Sequence, residues 1–125
     1  MSPSAADTSE TASPAVTLEE TRRLARQGTF DDRAVVACAQ ERGQALGSCN
    51  AAVARGQGGT ATVVVTFPTG FARHLYFAEG AFLRANATMS GVGTDTDWSG
   101  DGVQIFIRVD DQRFELPVAF VFGPG

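Results

Sequence analysis

TATVVVTF (60–67), PTG (68–70), FARHLYFA (71–78), EG (79–80) and AFLRANAT (81–88) decide the fold. Three runs of strand length are separated by two short turn signals, which predicts an antiparallel meander. Val, Phe, Thr, Tyr and Leu crowd the runs, and Pro68, Gly70 and Gly80 fall in the gaps. Phe67-Pro68-Thr69-Gly70-Phe71 suits a type I turn, with proline setting φ and glycine taking the left-handed position after it.

Downstream, Met89 to Gly102 reads as a polar loop, after which VQIFIRVDDQRFELPVAFVFG (103–123) resumes the β pattern. Opposite charges across paired strands are stabilising by roughly 0.2–1 kcal/mol and like charges oppose pairing. A turn at Asp111-Gln112 sets Asp110 opposite Arg113 and Arg108 opposite Glu115. A turn at Asp110-Asp111 sets Arg108 opposite Arg113, so the first register is expected. Val103, Ile105, Ile107 and Val109 then share one face. Pro117 marks an edge or a bend, with Val118, Phe120 and Phe122 docking beyond it.

Upstream, residues 1–16 are a Ser/Thr/Ala/Pro tract with little to bury, expected to be a disordered tail, so that the single domain spans 17–125. Thr17-Leu18-Glu19-Glu20 is a capping box; acids open the segment, Arg22, Arg23 and Arg26 close it, and Gly28 stops it. A short surface helix over about 17–27 follows, with only Leu18 and Leu24 to give it an apolar side. Val35 and Val36 favour a strand running into Cys38, the rival being a helix through residues 34–46 capped by Asp31. AAVAR (51–55) is a further weak strand, and residues 56–59 form a flexible reversal into the meander.

A chain of 125 residues with 43% hydrophobic residues is one globular domain. A net charge of −4 opposes nucleic-acid binding, and no apolar run approaches the roughly 18 residues of a membrane helix. Every basic side chain is arginine, which excludes Schiff-base and P-loop lysine chemistry. Cys38 and Cys49 are the only cysteines, and with one histidine in the chain they do not complete a four-ligand metal set. A structural disulfide, which implies an oxidising compartment, is expected, with two buried free thiols as the alternative.

CAQERGQALGSC (38–49), VARGQGGTATVVVTFPTG (53–70) and IRVDDQRFELPVAFVFG (107–123) together resemble a family of small exported or periplasmic proteobacterial domains. Members similarly carry two cysteines, a Gly-rich turn into TATVVV, a P-x-G hairpin and a closing R-[FY]-E-[LI]-P segment. The resemblance covers residues 29–125. It implies an envelope location and a Cys38–Cys49 disulfide, and carries over no catalytic residue. On that basis the chain is expected to be periplasmic or secreted, its export signal absent from the sequence.

The remaining chemistry is sparse. Asp95, Asp97, Ser99 and Asp101 place oxygens at alternate positions, as in the first half of a calcium loop, with Gly100 among them. The twelfth position from Asp95 is Phe106 rather than the bidentate glutamate, and a solvated acidic loop is the plainer expectation. His74, mid-strand beside Ala72 and Tyr76, has no serine or cysteine next to it for nucleophilic chemistry, so a sheet-surface histidine is expected. Arg73 stays exposed or pairs with an acid across the sheet. Trp98 is the one aromatic that periodicity does not assign to the core; with Asp95, Asp97 and Asp101 it makes this loop the first place to look for binding.

The expectation is a mainly β domain of six to eight short antiparallel strands, closed as a small barrel or sandwich behind an N-terminal helix. Its expected function is non-catalytic: an envelope or periplasmic binding or accessory domain recognising an envelope protein or glycan, without nucleic-acid partners or membrane insertion. One alternative is an inhibitor of a hydrolase such as lysozyme, since ATMSGVGT (87–94) resembles the Ser-Gly loop of one inhibitor family, although that family's partner lysine is missing. The other is a weak calcium-binding module.

Overall fold

The computed structural model describes residues 17–86 and 95–123. The tail expected over 1–16 lies outside the described residues, as do residues 89–94 of the polar loop, Ser90 among them, and the whole of ATMSGVGT (87–94). Eight strands form one antiparallel sheet: β1 (Asp32–Ala39), β2 (Gly47–Arg55), β3 (Ala61–Thr66), β4 (Ala72–Ala78), β5 (Ala81–Ala85), β6 (Thr96–Gly100), β7 (Gln104–Val109) and β8 (Gln112–Pro117). The order β5-β4-β3-β2-β1-β8-β7-β6 joins the last strand to the first, so two meanders meet at β1 and β8. The sheet curls into a nearly closed barrel, and its seam lies between β5 and β6, which come close but do not pair among the described residues. No described helix is long and apolar enough to cross a membrane.

The alternation of each strand fills the barrel. Val63 and Val65 on β3, Leu75 and Phe77 on β4, Ile107 on β7 and Phe114 on β8 are at most 2% exposed. Burying each such side chain is favourable by roughly 1.5–3 kcal/mol. The expected turn at Pro68 is present: the Gly70 N–H donates to the Phe67 carbonyl at 2.8 Å, with Gly70 at φ 94°. Glu79 and Gly80, both at positive φ, close the β4–β5 hairpin, and a register shift at Tyr76/Phe77 bulges β5.

The region around the cysteines is strand, not helix. Cys38 on β1 faces Gly47, and Cys49 on β2 faces Val36, so the two cysteines are diagonal neighbours on the inner face. They form a disulfide with a Cα–Cα separation of 5.9 Å, and each is 3% exposed. Cross-linking residues 11 apart in sequence stabilises the fold by about 3 kcal/mol through the unfolded chain's lost entropy.

Helix α1 (Leu18–Arg26) follows its capping box, with the Thr17 hydroxyl accepting the Glu20 N–H at 3.2 Å. Thr21 and Ala25, rather than Leu18 and Leu24, make its buried contacts. Thr21 Oγ1 lies 2.9 Å from Thr62 Oγ1 in a buried hydroxyl pair that holds the helix on the outside of the barrel. Pro117 ends β8, and the chain bends into the one-turn helix α2 (Val118–Phe122), which buries Phe120 and Val121.

Two local expectations are overturned. The β7–β8 turn is Asp110-Asp111, with Asp110 at φ 54°, so Arg108 does sit opposite Arg113. The two registers differ by two residues and keep the same inward faces, so core burial does not separate them. The like charges are relieved elsewhere: Arg108 pairs with Asp95 at 3.3 Å, and Arg113 donates to the Gln44 carbonyl. In addition, Val103 does not join the apolar face of Ile105, Ile107 and Val109. It precedes β7 and is 67% exposed.

Candidate binding groove

Trp98 stands on a strand rather than in a loop. Residues 96–100 pair with β7, placing Trp98 opposite Ile107 and Asp97 opposite Arg108. Cross-strand partners share a face, so Trp98 belongs to the row that Ile107 and Phe114 continue into the core. At the seam Trp98 remains 43% exposed. The Asp97 carboxylate accepts the Trp98 N–H at 2.9 Å, occupying a backbone donor of this outermost strand. Gly100, two residues further along the same face, would place a Cβ 3.9 Å from Trp98 Cζ3. That is ordinary contact; the tighter approach is 3.3 Å to the Gln104 carbonyl oxygen.

Leu46, from the segment before β2, is 42% exposed and lines one groove with the half-exposed Phe106, which shares the outward face with Ser99 and Glu115; Trp98, whose row faces the other way, also lines it from the outermost strand. The groove has a volume of about 260 Å³. Its charged lining consists of two acids, Asp97 and Glu115, and two arginines, Arg108 and Arg113. Both arginines are held in place. Arg108 Nη1 donates to the Asp110 carbonyl at 2.9 Å, and its bonds to Asp95 raise its pKa further above the ordinary arginine value. Arg113 is tied to the Gln44 carbonyl. By contrast, no described residue hydrogen-bonds the Glu115 carboxylate or the Ser99 hydroxyl.

Asp97 and Ser99 share a face of the strand, with Asp95 and Asp101 just beyond its two ends, so the extended chain spreads the four over roughly 20 Å. Calcium needs six to eight oxygens within about 2.6 Å. Asp95 is paired with Arg108, and Asp101 accepts the backbone N–H groups of Gln104 at 2.8 Å and Val103 at 2.9 Å. Those bonds, Gln104's first, hold the Asp101 carboxyl below its ordinary 3.8. Among the described residues no three His, Cys, Asp or Glu side chains gather into a metal-sized group.

His74 lies half-buried on the outer face, opposite Val64. Burial, then the charges of Arg26 and Arg22 on α1, lower its pKa from 6.5. Its strand neighbour Arg73, however, points inward and is 1% exposed. Arg73 Nε donates to Gln112 Oε1 at 2.9 Å and Nη1 to the Asn86 carbonyl at 2.7 Å, while its guanidinium lies 5.2 Å from the Phe71 ring. Alternation contained this placement, since Arg73 shares a face with Leu75 and Phe77.

A larger open hollow, about 530 Å³, lies on the outer face of β1–β3 beside Val35 and Val64. Its lining is mainly small apolar side chains, and Arg33, its one charge, lies over the Phe30 ring at 5.0 Å. Specific sites combine apolar surface with several placed polar groups, and the groove at Trp98 has both. Comparison of the chain with protein-family models, with curated proteins and with solved structures finds no match.

Proposed function

We propose that this protein is a non-catalytic binding or accessory domain of the cell envelope, engaging its ligand through the groove at Trp98. The observation that carries the reading is the convergence of Trp98 and Leu46, each more than 40% exposed, on one groove. They come from segments far apart in sequence, and a rigid sheet sets their separation. Exposing two large apolar side chains at one groove forgoes burial worth roughly 1.5–3 kcal/mol each, which a ligand would recover in part. The disulfide supports an oxidising compartment, and periplasmic or secreted residence is the form of it proposed here.

The test is retention of components from an envelope fraction on the immobilised protein, compared with Trp98→Ala and with Val35→Ser as a distant control. Binding through this groove requires that Trp98→Ala alone abolish retention.

Inhibition of a hydrolase such as lysozyme is the second reading. A net charge of −4 favours it, because an acidic domain is drawn to a basic enzyme. It requires slower clearing of a cell suspension by lysozyme, with the effect fading as salt rises. Unchanged clearing at micromolar protein removes it.

A further inference from the structure

We infer that the outer face shared by α1, β4 and β5 binds a phosphate monoester through Arg22, Arg26 and Arg84, a site apart from the Trp98 groove and independent of the reading given for it. The strand register puts these residues on one side of the sheet. His74 and Tyr76 alternate with the inward Arg73, Leu75 and Phe77, so both belong to the outer face of β4. Arg84 stands opposite Tyr76 on β5 and shares that face. Helix α1 lies against it too, its Thr21 bonded to Thr62, the residue opposite Tyr76 on β3.

Tyr76 therefore receives a guanidinium group from each side element. That of Arg22, from α1, lies 4.7 Å from the ring centroid, and that of Arg84, from β5, lies 5.6 Å from it. Arg26 follows Arg22 by one helical turn. The charges of Arg26 and Arg22 both reach His74, whose pKa is lowered by burial first and by these arginines second.

In a chain whose acids outnumber its arginines 14 to 10, this face carries an excess of positive charge. Among the described residues Glu19 is the only carboxylate paired with any of the three, meeting Arg22 at 3.4 Å with its own side chain 74% exposed. Neither Arg26 nor Arg84 has an ion pair or a hydrogen bond among the described residues. Arg22 Nε is buried without an acceptor. Three cations with one loosely attached carboxylate repel one another, and an anion shared among them relieves the repulsion.

The arrangement selects the form of that anion. A carboxylate presents two coplanar oxygens, which suit one guanidinium fork. A phosphate monoester presents three strong acceptor oxygens and a charge of about −1.5 to −2 at pH 7, so it can accept from α1 and from β5 together. A long polyanion is disfavoured, because beyond this face it meets a protein of net charge −4.

His74 is the only histidine, so its imidazole resonance in NMR reports on this face. The experiment adds glycerol 3-phosphate and, as a carboxylate of like charge, succinate, each at fixed ionic strength and up to concentrations on the order of 10 mM. Sedimentation with phosphatidylcholine vesicles, with and without phosphatidic acid, separates a lipid-borne monoester from a soluble one. Each measurement is repeated with Arg84→Gln, Arg26→Gln and the control Arg42→Gln, an exposed arginine paired with Asp111, each first shown to be folded by its melting curve.

The expected result is a saturable shift of the His74 resonance with glycerol 3-phosphate, weakened about tenfold by Arg84→Gln and by Arg26→Gln, the loss of one charged hydrogen bond. Arg42→Gln should bind as the native protein does, and succinate should bind at least about tenfold more weakly. The His74 pKa should rise on binding as the phosphate offsets the charges of Arg26 and Arg22; its cross-strand neighbours Val64 and Asn86 carry no charge. Sedimentation with phosphatidic acid vesicles alone, lost in Arg84→Gln, keeps the site and makes a lipid headgroup its ligand. Succinate binding as tightly as the phosphate overturns the inference. So does an equal loss in Arg42→Gln and Arg84→Gln, or silence toward both the soluble and the lipid-borne monoester.

Discussion

Arg73 Nε donates to Gln112 Oε1 at 2.9 Å inside the barrel, linking β4 to β8, strands that are not neighbours in the sheet. The bond joins the first meander to the second across the interior. Burial lowers the Arg73 pKa, and the Asp110 carboxylate partly offsets that by favouring the cation.

Removing Arg73 strands Gln112 Oε1 and the Asn86 carbonyl at a buried end of the barrel. Arg73→Ala should therefore cost about 3 kcal/mol, a fall in melting temperature on the order of 10 °C. Thermal denaturation followed by circular dichroism reads this directly. A loss under about 0.5 kcal/mol would mean the bond does not hold the two meanders together.

Gly58 and Gly59 separate two effects that glycine usually combines. Both have positive φ, 70° and 72°, but a Cβ on Gly58 meets nothing within 4 Å, whereas one on Gly59 would lie 2.3 Å from the Gly80 backbone nitrogen. Gly58→Ala should cost about 1 kcal/mol in backbone strain. Gly59→Ala should cost at least about 2 kcal/mol, because the β2–β3 and β4–β5 turns must separate as well. Equal denaturation midpoints for the two variants would contradict the packing of these turns.

His74 should give the fold a pH-dependent contribution. Its folded pKa lies below 6.5, so between the two values the unfolded chain binds the proton and the folded protein does not. Stability from this group is complete above 6.5 and is lost as pH falls through the window down to the folded value. Denaturation midpoints measured from pH 7.5 to 5 should decline less steeply for His74→Gln than for the native protein. Identical slopes would show that burial and the α1 arginines do not act on this histidine.

The disulfide can be tested by mass. Without reductant, neither cysteine should take up an alkylating reagent in native or unfolded protein, and reduction should lower stability by about 3 kcal/mol. Labelling of both cysteines without reductant would remove the support for an oxidising compartment.

Much of the fold was legible because strand alternation and turn chemistry agreed over residues 60–85. The β7–β8 register was not, because both candidate turns preserve the buried faces and the choice fell to charge pairing. Arg108 and Arg113 tolerate each other through Asp95 and the Gln44 carbonyl, one beyond the hairpin's strands and the other 69 residues away. Strand β6 was hidden for a different reason: Thr96–Gly100 is exposed along most of its length and shows no apolar alternation, so its acids read as a loop. Trp98 was recognisable as unassigned to the core. Leu46 was not, because only the folded chain brings it to the same groove.

The central claim, that this barrel binds through the groove at Trp98, is tested most directly by retention from an envelope fraction. Native protein and Val35→Ser should retain the same component, protein or glycan, and Trp98→Ala should retain none of it. Equal retention by Trp98→Ala, or nothing retained by the native protein, would contradict the claim.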